Sequence, residues 1–229
     1  MSDPINHRLM WIGAGLIAAL LISLTLLGWL PLSPGLDQPI LLTINQGWAH
    51  PWADRFFIWI SDRATFAAPM ILLILAVLWR RFGKDGVKLW GLFILALIAG
   101  DLLGNLLKHW FSQPRPCAEI FDLIRQPKRP QGGTCGALTS GTPSNHTLNF
   151  VLTALFFGQI LPWFRRLWLP LLAIAVLVGI SRIYLGVHYP SQVVLGGIIG
   201  ALLATLFAWL SLRYLAFVRH LHRYQKRGD

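Results

Sequence analysis

Long apolar runs separated by short polar segments dominate the chain. The first run, Leu9–Leu30, contains no charged residue and is followed by Pro31. At about 1.5 Å per helical residue, it is long enough to cross a hydrocarbon core of about 30 Å. It is too long for the apolar region of a signal peptide and lacks a convincing cleavage site, so it predicts a retained membrane anchor.

Five more apolar segments predict five more spans. They are Phe57–Trp79, Val87–Trp110, His146–Leu161, Trp168–Tyr184 and Pro190–Phe217. The first of these has the weakest pattern, because Asp62, Arg63 and Pro69 interrupt it. Without an internal repeat or low-complexity tract, the pattern predicts an all-α protein in which residues 1–229 form a single domain of six transmembrane helices.

The composition agrees with a membrane protein. Of the 229 residues, 55% are hydrophobic and 13% are charged, and the mean hydropathy is +0.57. Soluble domains average about 25% charged residues. The sequence therefore excludes an ordinary soluble enzyme.

The basic residues predict an orientation. If the N-terminus is cytoplasmic, most of the 20 Lys and Arg residues fall in cytoplasmic segments, as the positive-inside rule requires, and both termini are cytoplasmic. The remaining basic residues lie outside: Arg55, Arg63, Lys108, Arg115, Arg125, Lys128, Arg129 and Arg182. Because the +11 net charge is divided across the membrane, nucleic-acid binding is a poor interpretation.

The first polar motif lies at the outer end of the third span. Asp101, Asn105 and Lys108 are spaced i, i+4 and i+7, which places them on one helical face. Asp101 either steers Lys108 through Asn105, neutralises it, or packs as a polar residue. Prolines on both sides of Arg115 end the helix, so this guanidinium can turn toward a phosphate.

The second motif opens the fourth span. Ser144 precedes an apolar helical run, which is an N-cap signature. A helix N-terminus offers free amides and a positive dipole to a phosphate. We expect Ser144 to contribute its hydroxyl and Asn145 its backbone N–H, with His146 facing the same pocket.

The third motif joins the fifth and sixth spans. Arg182 follows Ser181 near the outer end of the fifth span, and His188 lies in the short turn after it. Pro190 starts the sixth span at the favoured first helical position. Gln192 then lies in the first turn, within reach of His188.

The three motifs together supply two imidazoles and three permanent cations, with no carboxylate cluster for a metal. Phosphoryl transfer needs positioning and charge stabilisation more than covalent chemistry by the protein. The motifs therefore predict a phosphoryl-transfer site that uses neither a metal nor another cofactor.

The order and spacing of these motifs, over about residues 100–200, closely resemble the phosphatidic acid phosphatase type 2 (PAP2) superfamily. The resemblance implies a six-helix membrane bundle with its active site at the outer face. It also implies that His188 is the nucleophile and that His146 protonates the leaving oxygen. The phosphoryl oxygens would be held by the cations Lys108, Arg115 and Arg182.

Two positions depart from the family pattern. Asn145 stands where the family often has Gly, and Asn tolerates left-handed backbone. Gln192 stands where the family usually has Asp, which would orient His188. This departure indicates a naturally slow enzyme, an engineered substitution, a plain helix-start residue, or a carboxylate supplied from elsewhere by Asp62, Glu119 or Asp122.

Both cysteines, Cys117 and Cys135, fall in the predicted outer loop between the first two motifs. An outer location permits disulfides. We predict a bridge between them, the alternative being two unrelated thiols.

The resemblance implies a phosphatase of lipid phosphates or diphosphates at the periplasmic face of a bacterial inner membrane, among membrane lipids. Undecaprenyl diphosphate is the first candidate substrate and phosphatidylglycerol phosphate the second. Arg125, Lys128 and Arg129 either favour a multiply charged headgroup or bind anionic lipid surfaces. A lipid phosphotransferase and a lipid-binding relative with little turnover remain open alternatives, and no pattern indicates an oligomeric state.

Overall fold

The computed structural model describes residues 34–127, 140–161 and 165–220. Over these ranges every regular element is helical and none is a strand, as the sequence predicts. The expected anchor Leu9–Leu30 lies outside the described residues. The α-helices are α1 (Pro34–Asn45), α2 (Pro51–Ile60), α3 (Ala68–Phe82), α4 (Lys84–Phe111), α5 (Pro116–Glu119), α6 (Asn145–Ile160), α7 (Arg165–Tyr184) and α8 (Pro190–Tyr214).

Three helical stretches in the described part of the chain are long and apolar enough to cross a membrane. They are Arg63–Phe82, Lys84–Glu119 and Pro190–Tyr214, and Leu169–Tyr184 is a shorter apolar helix. Large apolar side chains on their outer faces are exposed, among them Leu72, Leu102, Leu106, Trp110 and Val194. Such faces suit contact with lipid, so the chain is an integral membrane protein.

The predicted span Phe57–Trp79 is wrong at its start, because the helix breaks at Ser61 and Asp62. Helix α2 ends at Ile60, and a π-helical turn, Arg63–Ala67, leads into α3. The Asp62 carboxylate accepts hydrogen bonds from the backbone N–H groups of Ala64 and Thr65, both at 2.9 Å. It therefore caps a new helix start, as short polar side chains commonly do.

Helix α6 forms the centre of the bundle. It packs most extensively against α8 and α7, and then against α4. Leu148, Leu152, Phe156 and Phe157 are all fully buried along it, and Phe93 of α4 packs on both phenylalanines. A helix that is apolar on every side belongs inside a bundle, which explains why the start of α6 is surrounded by other elements.

Helices α6 and α8 touch through their backbones. A Cβ atom on Gly196 would lie 2.4 Å from the Ser144 carbonyl oxygen, and one on Gly200 would lie 2.3 Å from that of Leu148. Small residues at this spacing allow two membrane helices to approach closely. The close approach holds the first turn of α8 against the first turn of α6.

Candidate active site

The end of α4 redirects the chain after Lys108. Ser112 adopts a left-handed conformation, with φ 46°, and its N–H donates to the Lys108 carbonyl at 3.0 Å. Its hydroxyl donates to the His109 carbonyl at 2.7 Å. The following segment leaves the helix axis, and Arg115 Nη2 donates to the Ser140 carbonyl at 3.2 Å.

Hydrogen bonds fasten the first motif to the other two. The Gly141 N–H donates to the Gln113 carbonyl, and Gln192 Nε2 donates to the Pro114 carbonyl, both at 2.9 Å. The Tyr189 hydroxyl donates to Glu119 at 2.8 Å. The three motifs that the sequence singles out therefore form one connected assembly.

Ser144 occupies the N-cap position of α6, as predicted, but its side chain makes no capping bond. Its hydroxyl instead accepts a hydrogen bond from Thr147 at 3.3 Å, and its N–H donates to the Gln192 carbonyl at 3.0 Å. Ser144 is fully buried. Its hydroxyl proton is therefore available to an acceptor in the site.

Asp101 and Asn105 connect α4 to α6. Asn145 Nδ2 donates to Asp101 at 3.2 Å and to Asn105 at 3.1 Å, and Asn149 Nδ2 donates to Asp101 at 2.9 Å. Of the alternatives for Asp101, the one in which it steers Lys108 through Asn105 is not formed, because the Asn105 side chain accepts from Asn145 instead. Among the described residues the ammonium group of Lys108 makes no hydrogen bond or ion pair, so its three N–H donors can serve an anion.

His188 lies in the turn between α7 and α8 and is 2% exposed. Gly186, with φ 68°, makes this turn, and the His188 N–H donates to the Arg182 carbonyl at 3.2 Å. His188 Nδ1 lies 3.2 Å from Gln192 Oε1. Because the Pro114 carbonyl only accepts, it holds the Gln192 NH₂ and leaves the amide oxygen facing His188.

This arrangement selects one form of the His188 ring. An amide oxygen beside Nδ1 favours a proton there, which leaves the lone pair on Nε2. Burial, and then the charges of Arg182, Arg115 and Lys108, together with His146, hold the pKa of His188 well below its ordinary value. The ring is therefore neutral and nucleophilic near pH 7.

None of the three carboxylates proposed as substitutes for an Asp at position 192 takes the place of Gln192. Asp62 caps the helix start at Ala64, and Glu119 binds Tyr189. Asp122 is exposed on the 3₁₀ turn Phe121–Leu123. The side chain next to His188 Nδ1 is Gln192 itself.

A cavity of about 580 Å³ lies beside these groups. It is lined by the predicted residues His146 and Arg182 and by three that sequence reasoning missed, Ser61, Arg63 and Gln126. The Ser61 hydroxyl accepts from Arg182, and its backbone hydrogen-bonds to the His146 ring. The sequence did contain a signal for Arg63, because it is one of the charged residues that interrupt the second predicted span. Charged residues within a span usually mark function.

Arg125, predicted either to favour a charged headgroup or to bind anionic lipid surfaces, is engaged within the protein. It binds both carboxylate oxygens of Asp54, at 3.2 and 3.0 Å, and exchanges backbone hydrogen bonds with the Asn45 side chain at 2.9 and 2.7 Å. Its side-chain hydrogen bonds to Tyr184 and then to Asp54 raise the pKa of Arg125, although burial acts in the opposite direction. Lys128 and Arg129 lie outside the described residues.

The predicted disulfide joins one described and one undescribed residue. Cys117 is buried in the short helix α5, directly after the first motif. Cys135 lies outside the described residues. The bridge between them stays a prediction.

The PAP2 superfamily model matches residues 89–215. Lipid A 4'-phosphatase of Porphyromonas gingivalis is 28% identical over 72% of this chain and 68% of its own. Phosphatidylglycerophosphatase B of Bacillus subtilis is 30% identical over 67% and 73%.

Solved structures share this architecture. A PAP2-type phosphatidylglycerolphosphate phosphatase from Bacillus subtilis superposes with a TM-score of 0.59 at 24% identity, over 95% of this chain and 100% of that one. Aquifex aeolicus LpxE gives a TM-score of 0.56 at 25% identity, over 78% and 96%. The match to the family model covers more than half of the sequence, and the chain belongs to the PAP2 superfamily.

Proposed function

We propose that this protein hydrolyses lipid phosphates or diphosphates at the outer face of a bacterial inner membrane, through a phosphohistidine on His188. Its family and its relatives named as lipid phosphatases make it a membrane lipid phosphatase. The observation that carries the mechanism is a buried, neutral His188, oriented by Gln192 and surrounded by cations.

The reaction has two steps. His188 Nε2 attacks phosphorus while the bond from phosphorus to the lipid-side oxygen breaks, and His146, which starts the cycle protonated, gives its proton to that oxygen. Water then attacks the phosphohistidine, His146 takes a proton from the water, and the phosphorus–nitrogen bond breaks. Inorganic phosphate leaves, and both histidines return to their starting states.

The cations stabilise the charge that builds on the phosphoryl oxygens. Lys108 has unused donors, and Arg182 Nε is buried without a hydrogen-bond partner among the described residues. Arg115 reaches the same region from the segment after α4. Fixed cations in a site that excludes water stabilise such charge more strongly than they would in water.

The membrane setting favours a lipid substrate. The apolar outer faces of α3, α4 and α8 suit lipid contact, and the phosphoryl group would lie at headgroup depth. We rank undecaprenyl diphosphate first and phosphatidylglycerol phosphate second.

A phosphate-release assay in detergent, with and without EDTA, tests this function on both candidate lipids. His188→Ala should abolish release, and His146→Ala should reduce it strongly, less so for substrates with good leaving groups. His109→Ala, exposed on α4, is the matched control and should behave as wild type. Activity lost in EDTA and restored by Mg²⁺ would contradict this mechanism. Phosphorylation of an added lipid acceptor, with no free phosphate formed in its absence, would indicate a phosphotransferase.

The outer location has its own test. Single cysteines at Gln131 and Gly228, in a background without the native pair, should differ in labelling by an impermeant reagent in cells with intact inner membranes. Equal labelling would mean that the proposed topology is wrong.

A further inference from the structure

The cavity beside the catalytic groups extends past the residues that the three motifs supply. His146 and Arg182 form one part of its wall, and Arg63 and Gln126 form another. His146 is the group that protonates the leaving oxygen. The part of the cavity next to His146 is therefore where the leaving group of the substrate must lie.

Arg63 adds a cation to this wall. Within the described ranges its side chain forms no hydrogen bond or ion pair, and its charge acts on Lys108, His146 and Arg182. The neighbouring Asp62 directs its carboxylate to the helix start that it caps. The guanidinium of Arg63 is thus available to an anion, which it can bind with two parallel hydrogen bonds.

Gln126 adds a donor to the same wall. Its Nε2 is buried and has no hydrogen-bond partner among the described residues. The preceding residue, Arg125, exchanges backbone hydrogen bonds with Asn45, so the chain at this point is held in place. A buried NH₂ group without a partner needs an acceptor, and a phosphoryl oxygen in the cavity would supply one.

We propose that Arg63 and Gln126 bind a second phosphoryl group, the one that stays on the lipid when a diphosphate is cleaved. The proposal rests on the function proposed above. His188 takes the terminal phosphoryl group, which the motif cations hold. The phosphoryl group on the lipid side then lies beyond His146, against Arg63 and Gln126. These two residues make a lipid diphosphate a better substrate than a monophosphate with the same tail.

The test compares farnesyl diphosphate with farnesyl monophosphate. Arg63→Ala and Gln126→Ala should each lower kcat/KM for the diphosphate by about tenfold, as expected for a lost hydrogen bond to a charged group. The value for the monophosphate should fall by a clearly smaller factor, because that substrate has no second phosphoryl group for these residues to bind. Arg63→Lys should fall between wild type and Arg63→Ala, because an ammonium group keeps the charge and loses the paired donors.

Arg55→Ala is the matched control, since Arg55 is an exposed cation of α2 that does not line the cavity. It should leave both substrates unaffected. Equal losses on both farnesyl substrates for Arg63→Ala and Gln126→Ala would overturn the inference. So would a loss confined to phosphatidylglycerol phosphate, whose two phosphorus atoms are separated by glycerol.

Inhibition of the wild-type enzyme gives a second measurement that needs no variant. With farnesyl monophosphate as substrate, inorganic diphosphate should inhibit more strongly than inorganic phosphate. Equal inhibition would overturn the second subsite and leave the phosphatase function intact. Absence of phosphate release from either farnesyl substrate and from both candidate lipids would instead remove the proposed function and this inference with it.

Discussion

The side-chain oxygen of Gln192 lies 3.2 Å from His188 Nδ1, while the amide nitrogen of the same side chain donates to the Pro114 carbonyl at 2.9 Å. The second bond fixes the orientation of the amide, so Gln192 presents its oxygen to the ring. It can select the tautomer of His188 as a carboxylate would. In the proposed mechanism it cannot stabilise the positive charge that the ring would gain on attack, because it has no charge itself.

Gln192→Asp should therefore raise kcat at least severalfold, with fold and lipid affinity nearly unchanged. The carboxylate would stabilise the imidazolium that forms during attack. In a serine protease, neutralising the analogous Asp costs roughly 10⁴ in rate. The loss of the bond to the Pro114 carbonyl costs about 1 kcal/mol of stability, which a thermal melt will measure. An unchanged or lower kcat in a well-folded Gln192→Asp protein would rule out the orienting role.

Gln192→Glu is the comparison for this substitution. It has the length of Gln but places a carboxylate oxygen where the NH₂ group now meets the Pro114 carbonyl, and two acceptors repel each other. We expect Gln192→Glu to melt at a lower temperature than Gln192→Asp and to gain less activity. Equal behaviour of the two variants would show that the contact with Pro114 does not matter.

The pH dependence of kcat should reflect the low pKa of His188. A lowered pKa means that the neutral nucleophile persists as the pH falls through the ordinary histidine value of about 6.5, and is lost only further below it. Gln192→Asp should move this acid limb to higher pH, because a carboxylate favours the imidazolium. Because both pH profiles are measured on the same substrate, the ionisation of the substrate affects them equally. If the acid limbs of the two profiles coincided, His188 would not be the group that titrates there.

Gly196→Ala should disrupt the contact between α6 and α8. The added Cβ would meet the Ser144 carbonyl at 2.4 Å, and a helix backbone cannot move away cheaply. We expect a lower melting temperature and a loss of most activity. Gly197→Ala is the matched control, since its Cβ would find only side-chain atoms of Thr147 and Val151 at 3.7 Å. Similar melting temperatures for the two variants would show that the close approach is unimportant.

Asp37 on α1 anchors the first turn of α8. Its carboxylate accepts from the Ser191 N–H at 3.2 Å and from the Ser191 hydroxyl at 2.6 Å. Burial raises the pKa of Asp37 despite these bonds. The stability that the protonated carboxyl contributes is therefore lost as the pH rises through that raised value. At pH 7 the buried carboxylate is therefore a cost.

Asp37→Asn should keep both contacts without the buried charge, so its melting temperature at pH 7 should equal or exceed that of wild type. Asp37→Ala leaves the Ser191 groups unpaired and should cost about 1–3 kcal/mol. Thermal melts in detergent compare the two variants. An Asp37→Asn protein that melts as low as Asp37→Ala would mean that the charge itself stabilises the N-terminus of α8.

The parts of the fold that follow from local pattern could be predicted from the sequence. The apolar runs give α4 and α8, although α8 ends at Tyr214 rather than Phe217. The prediction of His188 beside Gln192 is confirmed, because i and i+4 positions around a helix start are neighbours. These features depend on spacing along the chain, which the sequence contains.

The parts that depend on distant segments could not be predicted. Gln126 reaches the cavity because Arg125 binds Asn45 and Asp54, and no periodicity connects these positions. Arg63 faces the cavity because the helix breaks just before it, whereas a hydropathy pattern continues across that break. Tertiary hydrogen bonds and a single capping carboxylate decide both placements.

Most of the bonds that fasten the three motifs end on main-chain atoms. The carbonyl oxygens of Gln113, Pro114, Ser140 and Gln192 are the acceptors, and every residue at those positions would supply one. A chain can therefore replace many of its side chains without dismantling the frame that positions its catalytic groups. The side chains of the cavity wall can therefore change, and with them the lipid that is bound, while the groups that carry out the proposed reaction keep their positions.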